Sequence, residues 1–119
     1  MATQNESGTE NIEKLLKEYQ LLQEQMRNVA IQLEQMQSQK IELERAKEEV
    51  DKSSGKIFLT VGNVIVESSK EKASVEIADR QSLLSIRLQS LNKQYTDMKA
   101  KDKQLNEKLT EIYKSGQGQ

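Results

Sequence analysis

Two long stretches of the chain place apolar residues at alternating steps of three and four. The first seam reads Ile12, Leu15, Tyr19, Leu22, Met26, Val29, Leu33, Met36, Lys40, Leu43, Lys47 and Val50, broken only by its two lysines. The second reads Ile77, Gln81, Leu84, Leu88, Leu91, Tyr95, Met98, Asp102, Leu105, Leu109 and Ile112, broken at Gln81 and Asp102. A repeat of about 3.5 residues keeps one narrow stripe facing a partner helix, so each stretch predicts a coiled-coil helix. Ser7 with Glu10 and Ser68 with Glu71 have capping-box spacing, and Asp51 to Gly55 supplies a stop after the first seam. The expected layout is a disordered start over 1–8, a first helix over 9–52, a central segment over 56–67, a second helix over 69–114 and a frayed tail over 115–119. The first seam, over 12–50, spans roughly 57 Å and the second helix, from about residue 70 to 112, roughly 63 Å at ~1.5 Å per residue. Helices of matched length favour folding back on each other as an antiparallel pair, because closing the loop costs little. Pairing between chains as a long rod is the open alternative.

The central segment changes period. Ile57, Thr60, Val61, Val64, Ile65 and Val66 are β-branched and Phe58 also favours strands. Gly62-Asn63 lies between the two runs of strand formers, which is the chemistry of a two-residue hairpin turn. The chain therefore reads helix, β-hairpin, helix, a mainly α fold. Apolar side chains occupy both faces of the hairpin, and a lone two-stranded ribbon is marginal in water with two unpaired edges. The expected resolution is assembly, with hairpins of several subunits pairing edge to edge into a shared sheet or β-barrel through Ile57, Phe58, Leu59, Val61, Gly62, Val64, Ile65 and Val66.

Composition narrows the function. The 119 residues hold 18 Lys or Arg against 19 Asp or Glu, with 34% hydrophobic residues and no Cys, His, Trp or Pro. Disulfide scaffolds and the usual zinc or haem ligand sets are excluded, and a His-based triad is impossible. No apolar run approaches the ~20 residues that span a bilayer, and no signal-peptide core is present. A net charge of −1 gives neither a nucleic-acid patch nor a polybasic membrane anchor. Ser54-Gly55-Lys56 brushes the end of a phosphate-binding loop, but Ile57 stands where Ser or Thr is needed. Glu48, Glu49 and Asp51 read as a solvated helix face rather than a metal site. No constellation supports catalysis and no cofactor is expected, so the chain is read as not an enzyme; the absence of cysteine is compatible with a reducing compartment, and a cytoplasmic location is the expectation.

The run Ile57-Phe58-Leu59-Thr60-Val61-Gly62-Asn63-Val64-Ile65-Val66, followed by Ser69-Lys70-Glu71-Lys72-Ala73, resembles the beta-type subunit of prefoldin in its archaeal form. One departure stands out: Phe58-Leu59 replaces a pair that is often Tyr-Lys in the family, which makes the first strand more apolar. The resemblance implies a hetero-hexamer of two alpha-type and four beta-type subunits whose hairpins form a β-barrel platform bearing coiled-coil tentacles. It also implies an ATP-independent holdase that grips unfolded polypeptide clients and delivers them to a group II chaperonin.

With the hairpin as platform, both chain termini lie at the tentacle tip. The apolar residues there are Ile12, Leu15, Leu16, Tyr19 and Leu22 on one helix and Leu105, Leu109, Ile112 and Tyr113 on the other. Most belong to the seam and have a plain role in closing the coiled coil. Leu16 and Tyr113 lie beside it and widen the stripe beyond what two helices need, which points to client binding. A structural scaffold without client binding is the alternative reading.

Overall fold

The computed structural model describes the backbone of residues 2–117 and the side chains of residues 11–116. Four elements follow in order: α1 (Ala2–Lys52), β1 (Ile57–Val61), β2 (Val64–Ser68) and α2 (Lys70–Gln117). The chain divides into two units. A terminal unit comprises the residues up to Ile31 and from Leu91 onward, and a hairpin unit comprises Gln32–Ser90.

The helices are longer than the seams predict. α1 has helical backbone from Ala2, where a disordered segment over 1–8 and a start near Gly8 to Glu10 are expected. Nothing between Ala2 and Thr9 is proline, and a nucleated helix extends at small cost per residue. Met1 lies outside the described residues. At the other end α2 runs through Ser115 and Gly116 to Gln117, past the expected stop at 114. Gly118 and Gln119, also in the expected tail, lie outside the described residues.

In the hairpin unit, α1 ends at Lys52 as the sequence predicts, but not through a left-handed glycine. The Ser53 N–H donates to the Val50 carbonyl at 3.2 Å, tightening the last turn, and the Lys70 ammonium donates to the Asp51 carbonyl at 2.9 Å. Two of the carbonyls orphaned at a helix C-terminus are thereby satisfied. The start of α2 corrects the expected cap by one residue. Ser69, not Ser68, accepts the Lys72 N–H on its Oγ at 3.2 Å, and its carbonyl accepts the Ala73 N–H at 2.9 Å. Ser68 is instead the last residue of β2, paired with Ile57. With α2 starting at Lys70, Ser69 is the residue just before the helix and Lys72 is its third residue, the spacing an N-cap serine needs.

β1 and β2 pair antiparallel, with Phe58 opposite Glu67, Leu59 opposite Val66, Thr60 opposite Ile65 and Val61 opposite Val64. Among the described residues Gly62 is the one with positive φ, at 60°. A two-residue loop with positive φ at its first central position is the type II′ turn, whose twist matches that of the strands it joins. Asn63 does not share the left-handed conformation.

The helices pair through their seams. In the hairpin unit Ile77, Leu84 and Leu88 are buried, and Ala73 is 0% exposed. Clefts are lined by Lys40 and Glu44 with Gln81 and Ser85, and nearer the hairpin by Ala46 and Val50 with Glu76 and Ile77. Numbers rise along α1 as they fall along α2, so the two segments are antiparallel. In the terminal unit Leu22, Val29, Leu91 and Leu105 are buried. The other seam positions are half-buried in both units, save Lys40 and Lys47, which are exposed. Both lysines therefore break the α1 seam in a segment where no α1 residue is fully buried.

Gly62→Val forces a β-branched residue into the left-handed region and should cost about 1–2 kcal/mol. The urea midpoint of the full chain checks this, and an unchanged midpoint would show that the turn does not depend on glycine.

Candidate functional site

Two apolar surfaces stand out, one in each unit. Residues directly opposite in an antiparallel pair share a face. One face of the hairpin therefore carries Ile57, Leu59 and Val61 with Ser68, Val66 and Val64, and the other carries Phe58 and Thr60 with Glu67 and Ile65. Ile57 and Leu59 are half-buried, while Phe58, Val61, Val64, Ile65 and Val66 are exposed, Ile65 by 70%. Apolar side chains thus meet solvent on both faces, as the residue order predicts. Lys56 and Glu67 form an exposed ion pair at 3.7 Å, too solvated to hold the ribbon by itself.

Beneath the hairpin an open cleft of about 540 Å³ is floored by Leu43, Val50, Ile57, Phe58, Leu59 and Ile77. Its rim carries Glu49, Lys52 and the ion pair of Arg80 Nε with Glu76 Oε1 at 2.9 Å. Ile57, Leu59 and Phe58 all line this cleft, and among them Ile57 and Leu59 are half-buried while Phe58 stays exposed. The exposed Val75, Leu83 and Ile86 also belong to this unit, and Leu83 enters a smaller cleft beside Arg80 and Arg87.

All nine predicted client-binding residues fall in the terminal unit, but they differ in exposure. Leu22 and Leu105 are each 4% exposed and close the coiled coil. Ile12, Leu15, Tyr19, Leu109 and Ile112 are half-buried. Leu16 and Tyr113 are 45% and 64% exposed. Closer to the termini than Leu22 and Leu105, no described side chain is fully buried. Lys99 Nζ sits 4.8 Å from the centre of the Tyr95 ring, a cation–π contact along α2. The amide of Gln23 donates to the Asp102 carboxylate across the two helices. Sequence reasoning leaves Asp102 as an unpaired break in the seam. Only the register of one helix on the other reveals its partner, because Gln23 lies beside the seam rather than in it. Ala73 is likewise missed, since a small residue one step outside an apolar repeat carries no periodic signal.

Among the described residues no group of three His, Cys, Asp or Glu is placed to hold a metal ion, and no helix is long and apolar enough to cross a membrane.

Helix, hairpin and helix are matched as a unit by the family model described as prefoldin subunit, over residues 13–116. The chain belongs to the prefoldin subunit family. It is 32% identical over 100 residues to the prefoldin subunit beta of Pyrococcus furiosus, a match that covers 82% of this chain and 86% of that one. The prefoldin subunit beta of Methanococcoides burtonii is 33% identical over 100 residues with the same coverage. The crystal structure of the prefoldin beta subunit from Thermococcus strain KS-1 superposes with a TM-score of 0.64 at 28% identity, covering 91% of this chain and 90% of that one. The similarity to prefoldin beta subunits thus extends over both helices and the hairpin, well beyond the run that carries the resemblance in sequence.

Truncation separates seam closure from exposed surface. Leu105→Ala should cost about 2–5 kcal/mol in urea unfolding, as deletions of buried leucine do. Leu16→Ala should stay within about 0.5 kcal/mol, as changes at exposed sites do. Equal costs would show that both residues close the seam.

Proposed function

We propose that the chain is a beta-type subunit of a hetero-hexameric chaperone, with two alpha-type and four beta-type subunits, and not an enzyme. Its hairpin is the assembly surface. The ribbon exposes Phe58 and Ile65 on one face and Val61, Val64 and Val66 on the other, with both edges unpaired among the described residues. Fully burying one such side chain is worth roughly 1.5–3 kcal/mol, so a shared barrel would supply what the isolated ribbon lacks. Ile65→Asp should dissociate the assembly. Sedimentation of the wild-type chain as a folded monomer at micromolar concentration would overturn the assembly reading.

The terminal unit is the client-binding surface of an ATP-independent holdase. The observation that carries this reading is the exposure of Leu16 and Tyr113 beside a seam whose outermost residues are only half-buried. Helix ends open at low free energy, and each apolar residue released there could be covered again by a segment of unfolded polypeptide. Several subunits acting together would hold a client by avidity, without a tight site on any one of them. The held client is then delivered to a group II chaperonin. The absence of ordinary catalytic and cofactor ligands in the sequence fits a protein that works through surface and number, in the cytoplasm.

Leu16→Ser combined with Tyr113→Ser should weaken suppression of client aggregation by the assembled protein, with its mass unchanged in sedimentation. Undiminished suppression would refute the assigned surface. An assembly of the right mass that fails to suppress aggregation even as wild type would favour a structural scaffold.

A further inference from the structure

The seam of the terminal unit contains one cross-helix polar pair among the described residues, and its position sets it apart. Asp102 occupies a seam position and is half-buried, and Gln23, also half-buried, donates its side-chain amide to the carboxylate from the other helix. The neighbouring residues Leu22 and Leu105 are the most deeply buried side chains of the unit, at 4% each. Beyond them toward the termini, no described seam residue is fully buried. On the inner side Val29 and Leu91 are buried again. The pair therefore stands beside the outermost fully buried residues of the described seam.

We propose that the Gln23–Asp102 pair is a clasp that limits how far the terminal unit opens to take a client, which makes both of them positioning residues. This rests on the client-binding reading above. A carboxylate in a helix seam is tolerated when a donor satisfies it, and sliding one helix along the other removes that donor. The pair thus fixes one register. Opening from the termini exposes half-buried residues at little cost until it reaches Leu22, Leu105 and the hydrogen bond together. There the cost rises abruptly, because two buried leucines and a charge-assisted hydrogen bond must be given up in one step. The client-accessible segments are then 12–21 and 106–113, and the segments 24–31 and 91–101 stay closed.

Site-resolved hydrogen exchange on the full chain tests this, alongside retention of reduced, denatured lysozyme. In the wild type, amides of 12–21 and 106–113 should exchange at least about tenfold faster than those of 24–31 and 91–101, with the step at the clasp. Asp102→Leu replaces the polar pair by apolar burial inward of the outer segments, so those segments should still exchange fast and retain lysozyme while the inner ones stay closed. Asp102→Asn keeps an acceptor for the Gln23 amide and should behave as wild type, whereas Asp102→Ala should let the fast region spread inward. A smooth wild-type profile, or an Asp102→Ala profile that matches wild type, overturns the clasp even where lysozyme is retained. A sharp step in a wild-type protein that does not retain lysozyme overturns the client-binding reading, and with it this use of the pair.

Discussion

A helix with a single narrow apolar stripe cannot bury that stripe on itself, and both helices of this chain are of that kind. With 34% hydrophobic residues against 31% charged, there is no second apolar face from which a compact core could be built. Each seam must find a long partner, and the partner nearest in sequence is the other seam. Apart from Ala73, the buried set among the described residues follows directly: Leu22, Val29, Leu91 and Leu105 in one unit, and Ile77, Leu84 and Leu88 in the other, all at seam positions. Isolated helices gain little from propensity alone, so this shared stripe is what holds them.

Pairing two repetitive helices leaves a second problem, since a seam that repeats every seven residues can slip by a heptad with little loss. The hairpin answers it from one end. Its strands are tied residue to residue, and a two-residue turn fixes that register with no slack. Gln23 and Asp102 stand the same number of residues before Gly62 and after Asn63, so they are symmetric about the turn in the same way as the strand pairs. Register is thus specified twice, by backbone pairing in the hairpin and by side-chain chemistry in the seam.

What could be read from the sequence divides along the same line. Periodicity reports which face of a helix is apolar, so the seams, the hairpin and the two-sided exposure of the ribbon were all legible. It does not report which residue meets which across two elements. Asp102 could therefore be read as a polar break able to fix register but not given its partner, and Ala73, fully buried at the first turn of α2, looked unremarkable. The cap was misplaced for a related reason. Ser68 and Ser69 are chemically alike, and only the strand register, which assigns Ser68 to Ile57, leaves Ser69 to hold the helix start. The helix ends escaped the reading because propagation into polar sequence leaves no apolar mark. Leu16 and Tyr113 were legible as residues beside the stripe, but their exposure depends on how much of the stripe two helices use up.

A protein that exposes apolar residues at both its hairpin and its helix ends has to avoid sticking to itself through the wrong surface. The two surfaces differ in the kind of partner they admit. The hairpin offers unpaired backbone edges together with side chains in fixed alternation, so it selects another strand in register. In the proposed client-binding role, the terminal unit offers side chains on helices whose backbone groups are already bonded, so it would select apolar side chains without regard to order. Around both, the described Lys, Arg, Asp and Glu side chains are exposed save Glu76 and Asp102, and exposed Lys and Glu discourage close approach of two helical flanks. Selective pairing at one surface and permissive contact at the other follow from the same economy of apolar residues. Strands recognise by backbone and helices by surface, and this chain uses one of each.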